Sequence, residues 1–255
     1  MKKICTYNVN GIRAAMKKGF VQWLQDESPD IICIQETKAY KEQVETAVLE
    51  HVGYKHYWYS AEKAGYSGVA IFSKEEPKHV EYGTGNPLYD REGRVIRADY
   101  DGYSVMSIYH PSGSSGDDRQ AFKMGWLDFF LDYVNSLRKE IPNLILCGDY
   151  NICHKAIDIH DPKGNKDSSG FLPEEREWFD NFVGNGYVDS FRSLHLEPDN
   201  YTWWSYRANA RNNNKGWRID YIMLTEGLAD RLNASLILPD AKHSDHCPMY
   251  SILDL

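Results

Sequence analysis

No stretch of the chain approaches the ~18 to 20 consecutive apolar residues that a membrane helix requires, and the N-terminus offers no substitute. Met1-Lys2-Lys3 carries two lysines but runs straight into the alternating pattern Ile4-Cys5-Thr6-Tyr7, without the apolar stretch of a signal peptide. A cytoplasmic protein that engages no membrane is expected. Cysteine is scarce: five residues, an odd number, with Cys5, Cys33 and Cys147 inside apolar runs of strand length. Such cysteines read as small buried hydrophobes and exclude a disulfide framework or a zinc site with paired spacing. A basic excess is missing too. The formal net charge is −8, where a DNA-binding face is usually basic. The total is a weak witness, because patches matter more than sums. A site gathering several carboxylates around a metal would by itself push the total negative. Repeats, low-complexity tracts and long linkers are absent as well.

What is present suits one large α/β domain, expected to span residues 1–255, with 42% hydrophobic residues to build its core. Apolar or alternating runs of strand length recur at Lys3–Tyr7, Ile31–Gln35, Gly68–Phe72, Val95–Tyr100, Tyr103–Tyr109, Leu144–Cys147, Ile219–Leu224 and Pro248–Leu253. Arg119–Arg138 is the longest helical pattern, with Phe122, Trp126, Phe129, Phe130, Tyr133 and Leu137 on one stripe. A second helix opens at Pro173, with Glu174 and Glu175 in its first turn. Strands outnumber helices, and several neighbours are close enough for antiparallel pairing. The pattern predicts two packed mixed β-sheets with helices outside, not a strict βαβ alternation.

Polar residues that bind metals or move protons follow the ends of apolar strands again and again. Asn8 and Asn10 follow Ile4–Tyr7, Glu36 follows Ile31–Gln35, and Asp149 and Asn151 follow Leu144–Gly148. Asp220 lies in Trp217-Arg218-Ile219-Asp220-Tyr221, and Asp245 and His246 precede the last strand. Taken alone, an Asp at a strand end is most often a turn former, and a single His before Cys-Pro a core-edge residue. Strand ends on one edge of a sheet sandwich, however, converge on a rigid frame. Together these carboxylates, amides and one imidazole are the hard-oxygen inventory for Mg²⁺ or Mn²⁺. His154 and His160 have no Glu-bearing helical partner and are expected not to be ligands.

Ten short motifs in order carry a resemblance. They begin with Asn8-Val9-Asn10-Gly11-Ile12-Arg13-Ala14, Ile34-Gln35-Glu36-Thr37-Lys38, Gly65-Tyr66-Ser67-Gly68-Val69, Gly148-Asp149-Tyr150-Asn151 and Asp161-Pro162-Lys163-Gly164-Asn165-Lys166. They continue with Gly170-Phe171 and Glu174-Glu175-Arg176, Val188-Asp189-Ser190-Phe191-Arg192, Tyr201-Thr202-Trp203-Trp204-Ser205-Tyr206, Gly216-Trp217-Arg218-Ile219-Asp220-Tyr221 and Ser244-Asp245-His246-Cys247-Pro248. The set resembles the exonuclease III family of apurinic/apyrimidinic endonucleases, within the endonuclease/exonuclease/phosphatase superfamily. The resemblance implies a four-layer sandwich and a metal-dependent DNA phosphodiesterase of base-excision repair. Such an enzyme incises 5′ of abasic sites and leaves a 3′ hydroxyl, with 3′-to-5′ exonuclease and 3′-end cleaning activity. Its partner would be double-stranded DNA with abasic or damaged 3′ ends, met by a monomer. The superfamily shares only the Asn8, Glu36, Asp149/Asn151, Asp220 and Asp245-His246 elements, which would also suit enzymes acting on RNA ends or on inositol and lipid phosphates. A catalytically silent DNA-binding protein is the alternative outside enzymes, and the intact set Glu36, Asp149, Asp220 and His246 speaks against it.

The resemblance also implies roles. Glu36 and Asp245 supply negative charge for Mg²⁺; Asn8 and Asn10 add neutral oxygens or hold the carboxylates in place. The expected metal set is Asn8, Glu36, Asp149, Asn151 and Asp245. Asp149 orients or deprotonates the attacking water, and Asn151 donates to a phosphate oxygen. Asp220 fixes the tautomer of His246 and favours its charged form. Tyr109 hydrogen-bonds the phosphate or leaving group. Arg13, Lys18 and Lys38 are expected at phosphates, Tyr66 near the lesion and Asn165 at the backbone. Trp203, Trp217 and Ile219 would wall an apolar pocket for an extruded, base-free sugar, whereas Trp204 reads as core. After Tyr109 the chain departs from the family's common Pro-Asn or Pro-Gln: Pro111-Ser112 puts a shorter hydroxyl in the phosphate loop, with no arginine close behind.

Overall fold

The computed structural model describes residues 1–255. Its twelve strands are β1 (Lys2–Asn8), β2 (Ile31–Gln35), β3 (Lys55–Tyr59), β4 (Val69–Ser73), β5 (His79–Tyr82), β6 (Val95–Asp99), β7 (Ser104–Tyr109), β8 (Leu144–Asp149), β9 (Tyr187–Asp189), β10 (Asp220–Thr225), β11 (Leu232–Ile237) and β12 (Met249–Leu253). The helices are α1 (Ile12–Lys17), α2 (Phe20–Glu27), α3 (Ala47–His51), α4 (Pro87–Asp90), α5 (Asp117–Leu137) and α6 (Pro173–Gly184). No helix is long and apolar enough to cross a membrane.

The strands form two six-stranded sheets, ordered β11-β12-β1-β2-β4-β3 and β5-β6-β7-β8-β10-β9. Each is mixed, with one parallel pair at its centre: β1 with β2, and β7 with β8. Side chains alternate between faces along a strand, and both faces here are covered, so the central strands read as unbroken apolar runs. Ile31 and Cys33 of β2 join Ile4, Val105, Ile145 and Cys147 in the core between the sheets. Ile32 and Ile34 turn outward to α1 and α2, packing with Tyr7, Ile12, Phe20 and Leu24. Leu144 and Leu146 of β8 turn outward to α5 and α6, packing with Trp126, Phe130, Phe179 and Phe182. The four layers are therefore helix, sheet, sheet, helix. All five cysteines are buried free thiols.

Helix α5 lies where the periodicity places it, but its buried face is rotated from the expected stripe. Lys123, Trp126, Leu127, Phe130, Leu131 and Val134 face inward; Phe122, Phe129, Tyr133 and Leu137 only border that core. A lysine at the centre of the face hides it from a hydrophobicity pattern.

Register places the polar strand ends together. Parallel pairing sets Asn8 beside Gln35, the residue before Glu36, and Tyr109 beside Asp149. Strand β10 runs antiparallel to β8, so its first residue, Asp220, lies opposite Asp149. The carboxyl ends of β1, β2, β7 and β8 thus meet the start of β10 on one rim of the sandwich.

Candidate active site

The rim carries four backbones in the left-handed region: Asn10 (φ 45), Glu36 (φ 52), Lys38 (φ 49) and Asn151 (φ 52). Non-glycine residues hold that conformation only where their surroundings fix it. Here the fixing is done by hydrogen bonds. Gln35 O and Glu36 O accept from Val9 N and Gly11 N, and Asp149 Oδ1 accepts from Asn151 N at 2.8 Å.

Asn8 is fully buried. Its Nδ2 donates to Glu36 Oε1 and to Asp149 Oδ2, both at 2.9 Å, while its Oδ1 accepts from Asn10 N at 3.0 Å. Through these bonds Asn8 holds the two carboxylates in place. Glu36, Asp149 and His246 bring one ligand-type atom each within 4.8 Å of one another. Asp245, expected beside Glu36 as a second anionic ligand, lies outside that group. Its oxygens accept from Asn10 Nδ2 at 2.9 Å and Trp203 Nε1 at 3.0 Å. Lys38, expected at a phosphate, sits at the rim with Nζ 2.7 Å from Glu36 Oε2 and 2.5 Å from Asn10 Oδ1.

His246 Nδ1 is 2.8 Å from Asp220 Oδ2, and its Nε2 is 3.9 Å from Asp149 Oδ2. Burial alone would discharge the imidazole, but Asp220 and then Asp149 outweigh it and raise its pKa to about 10. Burial and the charge of Asp220 raise Asp149 to about 8. Three carboxylates therefore share one imidazolium and the amide of Asn8, and Asp220 Oδ1 is buried without a partner. A donor set dominated by carboxylate oxygens, with one imidazole beside it, fits a hard divalent cation.

Tyr109 is half-buried. Burial, then Glu36 and Asp149, hold its phenol protonated far above the ordinary range. Asn151 spends one N–H on His110 O at 2.9 Å, leaving its other N–H for a phosphate oxygen. Two arginines that the sequence reading did not single out brace this side. Arg94 donates to Tyr109 O at 2.8 Å and to Tyr66 Oη at 3.0 Å. Arg119 donates to Tyr66 Oη at 2.8 Å, and both arginines pair with Glu92. Tyr66 thus lies beside the site on a fixed support. Arg94 had one weak signal, a charged residue at the mouth of the apolar run Val95–Tyr100.

A second feature abuts the first. Trp203 and Trp217 pack edge to face, centroids 5.9 Å apart, over buried Ile219, Ile159, Cys153 and Phe171. Both tryptophans remain half-buried, so the wall is partly exposed at the surface. Trp203 bridges strand-fashion to both Trp217 and His246. Phe171, quoted in a motif but given no role, belongs to this wall. Trp204 packs apart with Tyr201 and Cys247, as core. Arg218 anchors the wall from behind: Nε lies 2.8 Å from Asp158 Oδ1 and Nη2 2.7 Å from Asp189 Oδ2.

The remaining residues stand off the cluster. Arg13 is exposed on α1. Lys18 is exposed, with Nζ 3.3 Å from His243 O. Asn165 donates to His160 O and Asp161 O within its own loop. Ser112 pairs with Ser114 in the loop before α5. His154 stacks on Phe179 and bonds Asp180, away from the acidic group.

Known proteins share this sequence pattern and fold. The pattern of the Endonuclease/Exonuclease/phosphatase family matches residues 5–246. The curated protein named Exodeoxyribonuclease from Bacillus subtilis (strain 168) is 44% identical, over 99% of this chain and 100% of its own length. DNA repair nuclease APEX1 of Danio rerio is 43% identical, over 97% of this chain and 80% of its own. An AP endonuclease structure from Archaeoglobus fulgidus superposes with a TM-score of 0.91 at 31% identity, covering 100% of both chains. A Neisseria 3′ phosphatase, NExo, solved with a product DNA hairpin, superposes at 0.92 and 29% identity over 100% of both chains. By sequence and fold, the chain belongs to the endonuclease/exonuclease/phosphatase family.

Proposed function

We propose that this protein is a divalent-metal-dependent DNA phosphodiesterase of base-excision repair. It incises the backbone 5′ of abasic sites and trims or cleans 3′ ends at the same centre. The observation that carries this reading is the join made by Trp203. Trp203 donates its indole N–H to Asp245, pairs backbone to backbone with His246, and packs its ring into the aromatic wall with Trp217. A phosphate held at the acidic rim would thus have its neighbouring sugar against Trp203 and Trp217. A pocket of that make-up favours a sugar without a base, which costs little to extrude. The names of the relatives, nucleases and AP endonucleases among them, support the same reading.

Glu36 and Asp149 would hold Mg²⁺ or Mn²⁺, with Asn8 orienting both. When bound, the ion neutralises phosphate charge and makes water a better nucleophile. Asp149 positions the attacking water and accepts its proton. His246, kept charged by Asp220, and the free N–H of Asn151 stabilise the charge gathering on the phosphate oxygens. Tyr109 keeps its proton and donates it as a hydrogen bond to phosphate or leaving oxygen. Asp245 acts on Asn10 and Trp203, fixing the rim to the pocket. Arg13, Lys18, Lys38, Tyr66, Ser112 and Asn165 would grip the DNA backbone around the lesion. The 255 residues would act as one catalytic domain, a cytoplasmic monomer.

The test is the chemistry of the ends. A labelled duplex with one abasic analogue is expected to yield a single nick whose 3′ end a polymerase extends directly. A blocked 3′ end, or release of product from RNA ends or inositol phosphates instead, would overturn the DNA-repair reading.

A further inference from the structure

Lys123 is the one buried lysine of the chain. Its Nζ lies 2.5 Å from Oε1 of Glu175, and both side chains are 0% exposed. Stripping two charges of water is costly, and an ion pair so placed is weak evidence of stability by itself. Its other bonds suggest what the pair does. Lys123 Nζ donates to the backbone carbonyl of Asn151 at 2.8 Å, the residue held at φ 52 beside the scissile position. Glu175 Oε2 accepts from Gly170 N at 2.6 Å and Leu172 N at 3.0 Å. Those two residues flank Phe171, part of the pocket wall.

The turn and the loop are also fastened to each other. Cys153 N donates to Gly170 O at 2.7 Å. Gly170 sits at φ +98, and a Cβ there would come within 2.9 Å of the Trp217 ring and 3.1 Å of Asn151 O. Next to the buried Lys123–Glu175 pair, Asn151 O needs a donor, while Gly170 N and Leu172 N need an acceptor. A lysine and a glutamate joined head to head meet both needs; apolar residues of the same size would meet neither.

We propose that Lys123 and Glu175 are a positioning pair. They lock the Asn151 turn to the Phe171 loop, so that bond cleavage and sugar recognition share one buried support. Neither residue touches DNA. The inference rests on the reading of the site as a nuclease with a sugar pocket.

The experiment compares wild type with Lys123→Met, Glu175→Gln, the double variant, and Lys123→Arg. Denaturant unfolding first sets a temperature at which each is folded. Then kcat and KM are measured on a duplex with one abasic analogue and on an intact recessed 3′ end. The charge-removing variants are expected to lose about tenfold or more in kcat on abasic DNA, with KM within about threefold. Their abasic-to-recessed rate ratio is expected to shrink, and Lys123→Arg, which keeps charge and donors, to recover part of both. Folded variants with wild-type kcat and ratio would overturn the proposal and leave the pair a structural one. Should the charge-removing variants not fold, Gln120→Ala removes one bond to Glu175 without unpairing either charge. A lowered ratio in that variant supports the proposal, and an unchanged ratio overturns it. Wild type that cleaves neither substrate would instead sink the nuclease reading, and this inference with it.

Discussion

His246 Nδ1 lies 2.8 Å from Asp220 Oδ2, with both side chains buried. The pairing joins the first residue of β10 to the loop before β12, 26 residues apart in the chain, and turns an imidazole that burial would neutralise into a charged donor. Asp220→Asn keeps a hydrogen-bond acceptor but removes the charge. Cleavage at neutral pH is expected to fall by about 10²-fold or more, with DNA affinity within a few-fold of wild type. A loss smaller than threefold in the rate constant would mean that the imidazolium plays no part.

Asp149→Asn separates chemistry from grip. The side chain keeps its shape and loses its charge, so cleavage is expected to drop by at least about 10²-fold. Affinity for DNA is expected to hold or rise, because a negative charge next to the phosphate is gone. Binding and cleavage measured in parallel decide the matter; equal loss of both would assign Asp149 to folding or docking.

Much of this site was legible in the sequence, because its residues sit at the ends of strands too apolar to misread. Ile31–Gln35 and Leu144–Cys147 are found as strands where expected, and Glu36 and Asp149 follow them on the same rim. The edge strands β3, β5, β9 and β11 were not foreseen. β5 buries little, with three of its four residues exposed, and β9, only three residues long, is too short to carry an alternating pattern. The bonds that Asn8 makes to Glu36 and Asp149, and Asp245 to Asn10 and Trp203, also needed coordinates, because their partners are distant in sequence. Lys123 and Arg94 escaped for a related reason. Charged residues are almost never fully buried unless paired, and their partners, Glu175 and Glu92, are identified only by the fold.

Substrate choice rests on the tryptophan wall. Burying a sugar against Trp217 should contribute about 1–3 kcal/mol, or roughly ten- to a hundredfold in selectivity. Trp217→Ala is expected to lose more activity on abasic DNA than on an intact recessed 3′ end. Both rates need one salt concentration, since backbone contacts are salt-sensitive. An unchanged ratio in a folded variant would leave Trp217 as packing and move the pocket elsewhere.

Stability in acid reports on the support behind that wall. Burial would raise the Asp158 carboxyl, but Arg218 and Arg192 outweigh it and hold it below its usual 3.8. The folded state therefore binds this proton less readily than the unfolded chain. The resulting stability is fully present above about pH 5 and is lost as pH falls through the folded-state pKa. Asp158→Asn is expected to cost roughly 3 kcal/mol at pH 7, by leaving Arg218 with Asp189 alone. Denaturant unfolding between pH 7 and 3 should show the gap between wild type and variant closing in acid. Parallel curves would remove Asp158 from the acid response.

Incision of a duplex bearing a single abasic analogue, beside the same duplex with an intact nucleotide at that position, tests abasic-site cleavage most directly. With Mg²⁺ present, the expected product is one nick immediately 5′ of the abasic site, no matching nick in the intact duplex, and loss of incision in excess chelator that added Mg²⁺ restores. Full incision in chelator, or equal incision of both duplexes, would contradict a metal-dependent enzyme that recognises the missing base.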